Sequence, residues 1–322
     1  MDVMELRRKA IMNHIGDKIL IIPSDNRYVS KISKTKNFYY MIFKDGEIIY
    51  IVHEAQYDYS IENEKYIITF DPEKELSKII ENRKAYSTIE KIGNLNFDLM
   101  NISQFFKKPF DEEIPVIMEG IKILMNAFYD AATSVSLGVK ENELRAEIDY
   151  RLIKGGMEDF VYPTVVVSGK MTSVPFSRTS EKKIEKGDIV QVDISPIYKG
   201  YELSIARVIF TETNNEILET WNFYNKVFEI ATKYFQRGIK CNLLDEVVRN
   251  YIAEKNIIYP HYTGYPSGGF SSPYIYPNSE DVLERNSLFI FSPGIYFKNR
   301  YGFRIKRTVL IKDYGFEFLD RE

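Results

Sequence analysis

Residues 186–210, KGDIVQVDISPIYKGYELSIARVIF, decide how the rest of the chain is read. Two-residue alternation dominates Gly187–Ile194 and returns over Gly200–Phe210, the period of strands with one face turned to a core. The stretch therefore predicts a strand pair. Downstream, a helical pattern runs from about Glu216 to Ile257 with a break at Gly238, and Leu288–Ile311 is again strand-rich. Upstream, Pro115 sits early in a helix whose apolar stripe is Ile117, Ile121, Leu124 and Phe128, and a second helix begins near Glu141. Lys107-Lys108-Pro109 interrupts the pattern and marks a boundary. Before it, short strands and helices alternate. The apolar run Lys18–Ile22 ends at Pro23, Phe38–Phe43 and Glu47–His53 flank the hairpin signal Asp45-Gly46, and Glu75–Arg83 reads as a helix. The expectation is a small α/β domain over 1–108 and a larger α+β domain over 109–322.

Composition removes several function classes. A net charge of −3 offers no basic footprint for nucleic acid. No apolar run approaches the roughly 20 residues needed to cross a bilayer, and MDVMELRRKA lacks a signal core. A single cysteine, Cys241, suits a reducing cytoplasm. There is no Gly-rich phosphate loop, HExxH, paired CxxC or nucleophile elbow. The Tyr-rich stretch Tyr259–Tyr276 is a candidate groove lining, and Gly268-Gly269 within it reads as a loop.

Five segments, in order and with similar gaps, resemble the prolidase, aminopeptidase P and creatinase group: Leu137–Leu144, Val165–Pro175, Lys186–Phe210, His261–Gly264 and Asp281–Leu310. The first domain, with DNRYVSKIS before its hairpin, is similar to the group's N-terminal domain. The resemblance implies a pita-bread C-terminal domain behind a creatinase-type N-terminal domain. It also implies a homodimer, since many relatives pair through the N-terminal domain.

Active members of that group hold two divalent ions with two Asp, one His and two Glu side chains, whose bridging hydroxide attacks the peptide bond. Here Asp193 matches the first aspartate, and Ser204, eleven residues on, stands at the second. Tyr265 stands for the ligand histidine, Ser292 for the first glutamate and Lys306 for the second. Phe176 falls at the catalytic histidine, which also closes the metal-free route used by creatinase. Histidine counting agrees, because only His261 of three lies in the larger domain. Ligands of one metal centre are neighbours, so the Lys306 ammonium is expected in the vacated metal volume, paired with Asp193.

The resulting expectation is an inactive relative with no catalytic residue, no metal and no cofactor. Its cleft, lined by Tyr201, Glu202, His261, Tyr265, Tyr296, Arg304 and Phe176, would bind a peptide or protein. One alternative is a peptidase with a relocated single metal on Asp193 and Glu202, the latter placed beside Ser204 by strand pleating. Another is a metal-free Ser–Lys hydrolase using Ser292 or Ser204 with Lys306. Against it, Asp193 would raise the Lys306 pKa, whereas a general base needs it lowered.

Overall fold

Asp45 and Gly46 both take positive φ, 52° and 80°, and turn Tyr40–Lys44 back onto Glu47–Val52 with Lys44 opposite Glu47. Paired positive φ values match the right-handed twist of the flanking strands, which explains the choice of Asp-Gly. This hairpin is part of a six-stranded sheet ordered Lys65–Ile68, Glu47–Val52, Tyr40–Lys44, Ile19–Pro23, Ala85–Ser87, Asp98–Leu99. All five residues of Ile19–Pro23 are buried because both faces are covered. Leu20 and Ile22 pack with Ile11 and Ile15 of the helix Val3–Ile15, while Ile19 and Ile21 pack with Leu76. Leu76 lies on the helix Pro72–Ile80, which starts and ends earlier than the expected Glu75–Arg83. The Asp71 side chain accepts from Lys74 N at 3.1 Å and Pro72 occupies the first turn, so the start signal lay just upstream.

The computed structural model describes residues 2–57, 64–81, 83–133, 137–257 and 259–321. It divides into two units, Met1–Phe106 and Lys107–Glu322. In the second unit Val165–Ser168, Ile189–Ile194 and Ile205–Phe210 form one antiparallel sheet. Gly264–Pro266, Leu288–Phe291, Arg307–Ile311 and Phe316–Phe318 form another. Two helix pairs cover them. Ile114–Ala132 and Glu141–Lys154 share a core with Val190, Val192, Ile194, Leu288 and Leu310. Asn215–Thr232 and Cys241–Ala253 share a second core with Ile189, Phe289, Phe291, Val309 and Ile311. Side chains alternate along each strand between the two cores, and each fully buried aliphatic contributes roughly 1.5–3 kcal/mol.

The same parity places the site. With Val190, Val192 and Ile194 committed to the first core, Gln191 and Asp193 point to the other face of the strand. The expected continuous strand from Gly200 to Phe210 is in fact broken. Lys199 and Gly200 turn with positive φ, 47° and 77°, and Tyr201–Glu202 pairs with Pro196–Tyr198 before Ile205–Phe210 begins. Among the described residues, no helix is long and apolar enough to cross a membrane.

Candidate functional site

Asp193 is 2% exposed and every interaction of its carboxylate is accounted for by three side chains from distant parts of the second unit. Oδ1 accepts from Lys306 Nζ at 2.7 Å and from the Tyr162 hydroxyl at 2.8 Å, and Oδ2 accepts from Arg304 Nη2. Lys306 Nζ also donates to the Tyr162 oxygen at 2.6 Å and to Ser204 Oγ at 3.3 Å. All three ammonium donors are thereby used. The ammonium stands 5.2 Å from the centre of the Tyr162 ring and 5.7 Å from that of Tyr265.

The strands explain the convergence. Asp193 lies opposite Ala206 in register, and Ala206 forms a bridge with Lys306, whose backbone N donates to Ala206 O at 3.2 Å. Gln191, two residues before Asp193 on the same face, accepts from Arg304 N at 2.9 Å and donates to Arg304 O at 2.8 Å. It thus fixes the backbone from which the Arg304 guanidinium reaches Asp193. Tyr265 is on the strand next to Leu288–Phe291, and Ser292 follows that strand directly.

Electrostatics follow from this geometry. Burial alone would raise the Asp193 pKa, but Lys306 and Arg304 hold it below the usual carboxylate range. Burial alone would lower the Lys306 pKa, but the Asp193 charge holds it above the ordinary lysine value. Burial, reinforced by Asp193, pushes Tyr162 up to about 12. The centre is therefore one carboxylate against two cations.

A cavity of about 420 Å³ opens beside this centre. Asp193, Arg304 and Lys306 form its charged floor, Tyr265 and Ser292 its polar side, and Phe176, 75% exposed, stands at the rim. Arg304 lies 5.8 Å from the Phe176 ring centre. His261 contributes to the wall and is held on both nitrogens, Nδ1 to Tyr262 O at 2.9 Å and Nε2 to the Tyr296 hydroxyl at 2.7 Å. A carbonyl only accepts, so Nδ1 carries the proton and Nε2 accepts from Tyr296. Burial pushes His261 down to about 4, so it is neutral near pH 7.

Three expected lining residues lie elsewhere. Tyr201 packs against the first helix-pair core and donates its hydroxyl to Glu113 Oε1 at 2.9 Å. Glu202 belongs to the short strand Tyr201–Glu202, which ends before Ile205–Phe210 begins, and its side chain lies against Gly269, where a Cβ would meet Cδ at 3.3 Å. The pleating argument that set it beside Asp193 needed an unbroken strand. Tyr296 is buried behind His261 and borders a neighbouring crevice of about 10 Å³. Ser204, which the resemblance puts at a metal-ligand position, is also buried behind the floor, accepting from Tyr265 OH at 3.4 Å. Tyr162, the third partner of Asp193, carried no sequence signal beyond preceding the strand Val165–Ser168.

A dinuclear centre of the kind the resemblance implies does not fit these residues. Its positions offer one carboxylate, already held by two cations, and Lys306 stands within hydrogen-bond distance of the only anionic donor. Among the described residues, no group of three or more His, Cys, Asp or Glu could hold a metal ion. Charge counts against the Ser–Lys alternative, since Asp193 at 2.7 Å holds Lys306 above the ordinary lysine pKa and makes it a poor base.

The chain is 27% identical to an Xaa-Pro dipeptidase of Pyrococcus horikoshii, covering 98% of this chain and 97% of that one. It is also 27% identical to the Xaa-Pro dipeptidase of Pyrococcus furiosus, covering 93% and 92%. Among solved structures, the P. horikoshii prolidase superposes with a TM-score of 0.88 at 24% identity, covering 99% and 98%. An X-Pro aminopeptidase from Thermotoga maritima superposes at 0.86 and 23% identity, covering 98% of each chain. These likenesses establish the pita-bread α+β fold with its N-terminal domain. Residues 116–313, more than half of the sequence, match the model of metallopeptidase family M24, and the chain belongs to that family.

Proposed function

We propose that this prolidase-related chain does not hydrolyse peptides and instead uses the former catalytic cleft to bind one. The observation that carries this reading is the Asp193 carboxylate held between Lys306 and Arg304. A dication entering there would meet two fixed positive charges and one spoken-for carboxylate. At the other positions it would find Ser204, Tyr265 and Ser292, and Phe176 where the catalytic histidine would act. The cleft remains open and apolar on its rim, which suits an extended peptide. In the same reading the protein works in the cytoplasm, where the buried Cys241 stays reduced, and as a homodimer.

A second reading is an Xaa-Pro dipeptidase working from an altered metal site. The printed names of the relatives, which match over nearly the whole chain, favour it more than they favour inactivity. The side chains around Asp193 favour the first reading. Hydrolysis of a panel of Xaa-Pro dipeptides in the presence of Mn²⁺, Co²⁺ or Zn²⁺ separates the two. No release of proline above a no-protein blank is expected. Turnover abolished by Asp193→Ala would establish the second reading and end the first.

A further inference from the structure

Side chains of like charge rarely share a buried floor unless something of opposite sign completes it. At this floor two cations face one anion. Arg304 and Lys306 bring two positive charges, Asp193 one negative, and all three line the cavity, so the floor carries an excess of one positive charge. Among the described residues no other carboxylate lines it, and His261 is neutral near pH 7. Asp193 is spent: its side chain is 3% exposed and both oxygens are occupied. Arg304 is not. It gives one donor to Asp193 and another to Tyr296, and a guanidinium carries five. Low-dielectric walls of Val165, Pro175, Tyr162 and Tyr265 focus the field of that excess charge into the cavity.

We propose that this cavity is a receptor for a monoanion, a carboxylate carried on an apolar or aromatic body, bound by Arg304 over the Asp193–Lys306 floor. The carboxylate neutralises the excess charge, the Ser292 hydroxyl stands on the same wall to hydrogen-bond it, and the Phe176 and Tyr262 rings at the rim cover the apolar body. At about 420 Å³ the cavity admits an amino-acid-sized group, and not a folded surface. The loss of metal ligands thus changes the sign of what the cleft recognises. This rests on the binding reading above and adds the chemical class of the group that enters first. The carboxylate could be the C-terminus of a peptide or belong to a free small acid.

Titration calorimetry on the full chain distinguishes these sources, with four probes: N-acetyl-phenylalanine, its amide, a pentapeptide ending in free Phe, and the same peptide amidated. At least one free acid should bind, with its amide partner at least about tenfold weaker, since a charge-assisted hydrogen bond is lost. Binding of the small acid alone identifies a free carboxylate, and binding of the peptide acid alone identifies a chain terminus. Arg304→Gln and Lys306→Met, checked for native circular dichroism, should each weaken the acid about tenfold or more and leave the amide unchanged. The acid–amide comparison on the unaltered protein stands even if both variants misfold. Equal binding of acids and amides would overturn the anion receptor and leave peptide binding intact. Binding of the small acid with neither peptide form would keep the receptor and remove the peptide reading. Binding of no acid would overturn the receptor.

Discussion

Two buried carboxylates in the second unit each face two cations, and they do opposite things. Asp320, 0% exposed, pairs with Arg207 at 2.7 Å and Arg307 at 3.1 Å and accepts from Thr308 N at 3.1 Å. The spare Arg207 donors go to backbone carbonyls, Lys306 O at 2.7 Å and Ala206 O at 3.1 Å. No cavity among those described is lined by Asp320. Asp193 meets Lys306 and Arg304 in a similar ratio, but its cations border about 420 Å³ of open space. The same charge count is a closed clamp where carbonyls absorb the spare arginine donors and an open receptor where Arg304 carries more donors than Asp193 and Tyr296 take. The clamp also serves the site, because Arg207 grips the backbone of Lys306.

The largest expected effect breaks the clamp. Asp320→Ala leaves Arg207 buried without its counter-ion and should cost about 3–5 kcal/mol in denaturant unfolding. Asp193→Ala should cost less, about 1–3 kcal/mol, because its two cations can recruit water and solution anions through the cavity. Sulfate should then recover part of that loss for the Asp193 variant and none for the Asp320 variant. Equal losses, or equal recovery by sulfate, would erase the distinction between the two sites.

A third prediction uses pH. His261 is folded with its pKa pushed down to about 4 from an ordinary 6.5, so the unfolded chain binds its proton first. Its contribution to stability is complete above pH 6.5 and is lost as pH falls towards 4. His261→Gln should flatten that limb of the stability profile, while Asp193, held below the ordinary carboxylate value, should act only in more acidic solution. An unchanged slope between pH 6.5 and 4 in the variant would show that His261 is not the group titrating. The smallest effect calibrates the rest. Lys199 and Glu119 pair at 2.9 Å with both side chains more than half exposed, and Glu119→Gln should leave the unfolding midpoint unmoved.

Much of this was legible in the sequence, and the failures have physical reasons. The strand bearing Asp193 announced itself by its period, and the Asp45-Gly46 turn by its chemistry. The meeting of Asp193 with Lys306 was expected from the resemblance, which puts both at positions of one metal centre. Tyr162 and Gln191 were silent because they act through register, the first across a sheet and the second on a backbone more than a hundred residues away. Arg304 was expected only as lining, so its pairing with Asp193 as a second cation was not anticipated. Glu202 was misplaced because the strand stops at Glu202 and a new one starts only at Ile205, so pleating does not carry across Leu203 to Ser204. The Asp320 clamp had no motif at all.

Metal content tests the central claim most directly. Protein incubated with excess Mn²⁺, Co²⁺ or Zn²⁺, desalted and analysed by mass spectrometry under native conditions should retain no ion, because Lys306 and Arg304 already neutralise Asp193. Retention of one or two ions per chain would contradict the account, and would return the protein to the hydrolysing members of its family.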